Sequence, residues 1–299
     1  MIDYWCNAFT PDREPLWAEV ISREGLSIRT RSGDVDDGFC EPAEMVKRMD
    51  QVGVDTLVLP VCEPSNRLGD DPKDQAALEE FAHYAVRESE LKSLVATYPG
   101  RFVGVFSVNP DAGAADLADA AEAVDAAWCV GLHSHTHSWD RPFDHPDYRP
   151  YYELCAQRSI PFTMQAGASG GNMVHESGHP SAIAKPARDF PDVGFVLSHT
   201  GAPWVFETIE AALEFPNVYV GTATHPPRRW PDTLVEFMKG PGRHRCLFGT
   251  GFPLTGHVRS MHQLQDLALD PETAEALLDG NARRIFNRIP QPDPVSHRS

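Results

Sequence analysis

No apolar run among the 299 residues reaches the roughly eighteen needed to cross a bilayer, so no membrane partner is expected. The chain begins MIDYWCNAF, without a basic and then apolar leader, so no signal peptide is expected and a cytoplasmic location is. Cysteine is scarce. The six (Cys6, Cys40, Cys62, Cys129, Cys155, Cys246) show no CxxC spacing and several lie in apolar runs, which predicts reduced core thiols rather than disulfides. Cys6 is the one with a position of interest. Positive charge is also short: 26 Lys and Arg face 43 Asp and Glu, for a net charge of −17 with thirteen histidines neutral. Such a surface excludes tracking a phosphate backbone, so no nucleic-acid partner is expected. A small anion in a local pocket is still compatible with it.

What is present is a regular alternation. VDTLVLPV (54–61), FVGVFSV (102–108), WCVGLH (128–133), IPFTMQ (160–165), VGFVLSH (193–199), NVYVGT (217–222) and RCLFGT (245–250) are short apolar runs rich in β-branched and aromatic residues. They predict parallel strands buried on both faces, and IDYWCN (2–7) fits as an earlier one. Helical patterns lie between them: PAEMVKRMDQVG, then a long amphipathic stretch DQAALEEFAHYAVRESELKSLVATYPG, six further segments, and a last helix at about 271–287. Eight strands, each followed by a helix, predict an α/β fold, a (β/α)8 TIM barrel, and the length suits the typical ~250 residues plus insertions. The prediction is one barrel domain over 1–288 with a long insertion at about 8–40 between the first strand and first helix, and a polar tail at 289–299.

The most conspicuous local feature is LHSHTHS (132–138). On an extended strand His133, His135 and His137 would share a face and offer imidazoles to a metal. If the strand ends near His133, that alignment is lost and the stretch reads as a polar rim, with His133 facing a substrate.

PAEMVKRMDQVGVDTLVL, LVATYPGRFVGVFSVNP, FDHPDYRPYYELCAQRSIPFTMQAG, FPDVGFVLSHTGAPW, FPNVYVGT, CLFGTGFPL and LDGNARRIFNR, in this order, resemble the amidohydrolase-related family that includes amino-carboxymuconate semialdehyde decarboxylase. The resemblance runs from residue 1 to about 287. It implies a metal-dependent barrel with an HxH pair ending strand 1, a histidine ending strand 5, an aspartate ending strand 8, and a catalytic histidine ending strand 6. In this chain the corresponding residues are Trp5 and Asn7, Gln165, Gly251 and His199. Only His199 matches. Trp5 and Gly251 offer no side-chain donor, and the neutral amides of Asn7 and Gln165 suit zinc poorly.

The resemblance therefore implies an enzyme whose usual ion cannot form, with no cofactor expected: a metal-independent amidohydrolase-like enzyme, a hydrolase or a lyase of the decarboxylase type. It would hydrolyse or cleave, at a C–O or C–C bond, a small carboxylated cyclic or aromatic compound. His199 is the expected general acid/base. Trp5, Asn7, His133, His135, Gln165 and His225 are the expected substrate contacts, and Thr222 and Thr224 precede the last of these after the same strand. Arg29, Arg31, Arg228 and Arg229 are candidates for a substrate carboxylate. His257 and His262 are expected in solvent. A second reading keeps the barrel as a non-catalytic subunit paired with a metal-bearing relative, and a third places an ion at His133, His135 and His137. A homodimer is expected by resemblance, or a heteromer with a related chain.

Overall fold

A computed structural model describes residues 1–25, 27–28, 30–32, 35–62, 83–168 and 175–291. The first strand, β1 (Ile2–Asp3), is followed by a small antiparallel pair, β2 (Arg31–Ser32) and β3 (Val35–Asp36). The remaining strands are β4 (Thr56–Val61), β5 (Phe102–Ser107), β6 (Cys129–Ser134), β7 (Phe162–Gln165), β8 (Phe195–Ser198), β9 (Val218–Gly221) and β10 (Cys246–Leu247). Eight of them form one all-parallel sheet in the order β1-β4-β5-β6-β7-β8-β9-β10. Its two ends meet. Tyr4 N–H donates to Phe248 C=O at 3.0 Å and Gly251 N–H to Trp5 C=O at 2.9 Å. This is the expected (β/α)8 barrel.

The strand sequences follow from burial on both faces. In β4, Val58 points into the barrel while Leu57, Leu59 and Val61 pack outward under the helices. In β5, Val103 and Val105 point in, and Phe102 and Phe106 out. Alternation of facing with no polar face produces the continuous apolar runs. The first barrel helix, Pro42–Val52, opens on proline and closes at Gly53 in the left-handed region (φ 77°).

Three expectations change. The insertion at 8–40 is built, not bare: it carries a helix over Glu14–Glu24 and the β2–β3 pair. The long helix expected at 74–100 is helical only over Glu88–Thr97 among the described residues, because Arg87 is extended (φ −79°, ψ 154°) and serves as N-cap to the Glu90 capping box. The predicted tail begins too early, since Ile289 is buried in the interior cluster. Among the described residues, no helix is long and apolar enough to cross a membrane.

Candidate active site

The C-terminal ends of the parallel strands surround one mouth, the face on which barrel enzymes place their chemistry. Its floor is Trp5. The indole is 4% exposed, its ring 4.4 Å from that of His133 and 6.5 Å from that of His199. Its N–H donates to Asn7 Oδ1 at 3.0 Å, and the Asn7 amide donates in turn to Phe252 C=O at 2.6 Å. Asn7 is therefore buried and holds the β1 end to the loop after β10.

β6 stops at Ser134, in a turn that runs past His137. The shared face expected of the three histidines is lost for that reason. His133 remains on the strand and shares a 3.1 Å hydrogen bond with Ser107 through Nδ1, which leaves Nε2 on the opposite edge of the ring. His135 is half-buried, bonded to Ser138 and facing Tyr84. His137 turns away and donates from Nε2 to Gly167 C=O at 2.8 Å.

His199 follows β8 directly. It and Thr200 both adopt left-handed backbone (φ 59° and 57°), a rare conformation outside glycine and one that histidine tolerates better than most. Two such residues in sequence store strain, and strain of this kind collects at functional sites. The His199 ring is half-buried, and its Nδ1 is buried without a hydrogen-bond partner. Gln165 and His225, at the ends of β7 and β9, are half-exposed on the same rim, with Thr224 between β9 and His225; Thr222 is buried and bonds to the Leu247 carbonyl. The rim wall comes from the insertion, the loop before Glu88 and the loop after β6: Trp17, Tyr84 and Trp139 form one apolar cluster, and His83 stacks edge-on to Trp17 at 4.6 Å. His83 was hidden in the sequence inside a stretch that read as helix.

Burial makes this a cluster of neutral imidazoles. It pushes His133 down to about 3 and His137 to about 4, and pushes His135 and His199 well below the usual histidine range, with the neighbouring histidines adding to the effect for the last two. Groups that stay neutral when folded but take protons when unfolded lose stability for the fold as pH falls below about 6.5, toward the folded values. Above about 6.5 neither state takes protons there and the contribution is flat. We expect the denaturant midpoint to fall between about pH 6.5 and about pH 4.5, each of these histidines adding up to about 1.4 kcal/mol per pH unit. Urea titrations across that range check it; His137→Gln should flatten the slope, and an unchanged slope would refute the assignment.

Three of the four positions that the resemblance pairs with metal ligands do not fit an ion. Trp5 presents a ring edge whose only polar atom is a donor, and both Asn7 amide atoms are engaged inside the protein. At Gly251 a Cβ would lie 2.5 Å from Thr224 N, so no aspartate side chain could leave that point without backbone movement. Among the described residues, the set whose ligand atoms lie within 4.8 Å of one another is Asp3, Cys6 and His257, elsewhere in the molecule.

Of the arginine candidates, Arg228 pairs with Asp266 at 3.0 Å on the surface and Arg229 is exposed. Arg29 and the side chain of Arg31 lie outside the described residues. His262 is exposed as expected. His257 is not: it is 1% exposed and donates from Nε2 to Asp3 Oδ2 at 2.9 Å. The signal available for this pair was a lone acid, Asp3, inside an apolar strand, since a buried carboxylate demands partners.

The fold has solved relatives. An uncharacterized TIM-barrel protein from Bordetella bronchiseptica is 21% identical with a TM-score of 0.71, over 97% of this chain and 99% of its own. The 2,6-dihydroxybenzoate decarboxylase from Rhizobium is 17% identical (TM-score 0.64), over 96% and 99%. The 5-carboxyvanillate decarboxylase from Novosphingobium aromaticivorans, solved with manganese and 4-hydroxy-3-methoxy-5-nitrobenzoic acid, is 14% identical (TM-score 0.65), over 96% and 95%. No curated protein sequence matches. The family model described as Amidohydrolase matches residues 2–288, nearly the whole chain, and the chain belongs to that amidohydrolase family.

Proposed function

We propose that the chain decarboxylates a small hydroxylated aromatic or cyclic carboxylate at the barrel mouth, with His199 as the proton donor and without an ion at the family's usual place. The observation that carries this is His199 itself: a half-buried imidazole at a barrel strand end, held on strained backbone, with Nδ1 unpartnered. The decarboxylases among the structural relatives act on aromatic carboxylates, and the Trp5 floor and Trp17–Tyr84–Trp139 wall suit a flat ring.

Before a substrate binds, burial keeps the imidazole neutral. A bound carboxylate beside it supplies the missing counter-charge, raises its proton affinity and draws a proton from water. That proton passes from the imidazolium to the ring carbon bearing the carboxylate. The C–C bond electrons return to the ring, carbon dioxide leaves, and the histidine is neutral again. Anion binding is thus coupled to proton uptake and strengthens as pH falls. His133 and Gln165 would orient the carboxylate, with His135 and His225 on the rim.

Turnover of a panel of hydroxylated benzoates in D2O tests the reading. One deuterium is expected at the carbon that lost carbon dioxide, and added Mn2+ should leave the rate unchanged. A rate that depends on Mn2+, or solvent oxygen in a product formed without carbon dioxide, would overturn it. One observation favours a second reading, a non-catalytic subunit: Trp5 and Asn7 fill the place of the family's ion and satisfy each other. Co-purification with a relative that carries an HxH pair, together with no turnover of the chain alone, would establish that reading instead.

A further inference from the structure

We infer that Asp3, Cys6 and His257 form a closed site for a single Zn2+-class ion, outside the barrel mouth, that ties the first strand to the start of the helix at His257–Gln265. The three offer a carboxylate oxygen, a thiol sulfur and an imidazole nitrogen, all buried, all within 4.8 Å of one another. This mixed hard and soft donor set is the one zinc and cobalt prefer. Ligands about 2.0–2.3 Å from a tetrahedral ion stand roughly 3.3–3.8 Å apart, so a modest turn of the Cys6 side chain completes the contraction. The Thr250 hydroxyl, 2.6 Å from Asp3 Oδ2, is placed for a fourth position.

One orphaned atom points the same way. His257 Nδ1 is buried with no hydrogen-bond partner. Asp37 lies near this residue: its Oδ1 pairs with Arg48 Nε at 3.3 Å, its Oδ2 accepts from Val258 N–H at 2.8 Å, and its carboxyl, pushed up by burial, is pulled back by His257 and Arg48. At present His257 carries its proton on Nε2, facing Asp3. An ion on Nε2 moves that proton to Nδ1, on the ring edge away from Asp3, where no partner holds it at present; a metal-bound histidine commonly donates its second N–H to a carboxylate, and Asp37 is the one nearby. The Cys6 proton leaves to solvent, so one proton is released per ion bound. The ion would have no open coordination edge, which makes the site structural.

Full-length protein prepared without chelator and titrated with Co2+ tests this. About one Co2+ per chain is expected, with a sulfur-to-cobalt charge-transfer band that Zn2+ bleaches. Cys6→Ser and His257→Gln should lose the band and bind at least about tenfold more weakly, whereas His133→Asn and His199→Asn should keep both. Should one ligand variant fail to fold, the other decides, and a wild-type protein without the band overturns the inference in either case. Co2+ uptake without that band, uptake abolished by His133→Asn or His199→Asn, or no uptake would each overturn the inference.

Discussion

His199→Asn is expected to lower kcat by about 10²–10⁴-fold, the usual contribution of a positioned acid or base. Asparagine is the informative replacement because it tolerates left-handed backbone at least as well as histidine, so the φ of 59° at this position is preserved. Alanine would add a conformational cost and confuse the result. The variant should keep the wild-type urea midpoint at pH 7.5 to within about 1 kcal/mol, since the ring is half-buried and its Nδ1 has no partner to lose. Binding of a substrate carboxylate should also lose its pH dependence, because the proposed mechanism puts the proton taken up on binding on this ring. His225→Asn, on the rim beside it, should cost far less. A His199→Asn enzyme within about tenfold of wild type in kcat would remove the residue from the chemistry.

The largest effect on stability is expected from Gly221→Ala. A Cβ there would stand 2.1 Å from Tyr4 Oη and 2.4 Å from Cζ, while Gly249 makes the same allowance further along the ring, 2.7 Å from Cε1. Tyr4 is fully buried inside the barrel, and its hydroxyl shares a 2.6 Å hydrogen bond with Ser198 Oγ. The ring has nowhere to move without breaking that bond in a packed interior. Overpacking of this kind costs about 1–3 kcal/mol and occasionally more, and the buried hydroxyl places this case at or above the upper end. Ser198 precedes His199, so the disturbance should reach the site: kcat is expected to fall as well. Tyr4→Ala creates a cavity on its own, yet combined with Gly221→Ala it should cost less than the sum, since the clash disappears. A Gly221→Ala midpoint within about 0.5 kcal/mol of wild type, or strict additivity with Tyr4→Ala, would show that the barrel yields more easily than this packing implies.

The barrel was legible from the chain because its signal is local. FVGVFSV and VDTLVLPV are apolar at every position, and only a strand covered on both faces is written that way. His199 was legible for a related reason: it ends such a run, and strand ends face the mouth. The histidine cluster was harder. His133, His135 and His137 alternate as a strand would, but β6 ends at Ser134 and the chain turns, so His137 reaches Gly167 instead of the mouth. Asn7 reads as a substrate contact from its place at the end of the first strand, but its amide donates to the Phe252 carbonyl.

The sequence by itself determined the architecture, the place of the mouth and the absence of ligand residues at the family's metal positions, since each depends on residue type and on spacing within a few turns of chain. Only the tertiary structure decided which polar atoms meet. Asp3 and His257 are 254 residues apart, Tyr4 and Ser198 are 194 apart, and the Asn7 amide reaches across 245 residues to Phe252. The first and last of these arise because closing the barrel sets its first strand against its last, and the Tyr4–Ser198 bond crosses the interior that closure encloses. Closure is fixed by the register and packing of all eight strands together. No local window contains that information, and so a histidine that reads as solvated becomes one of the most deeply buried in the protein.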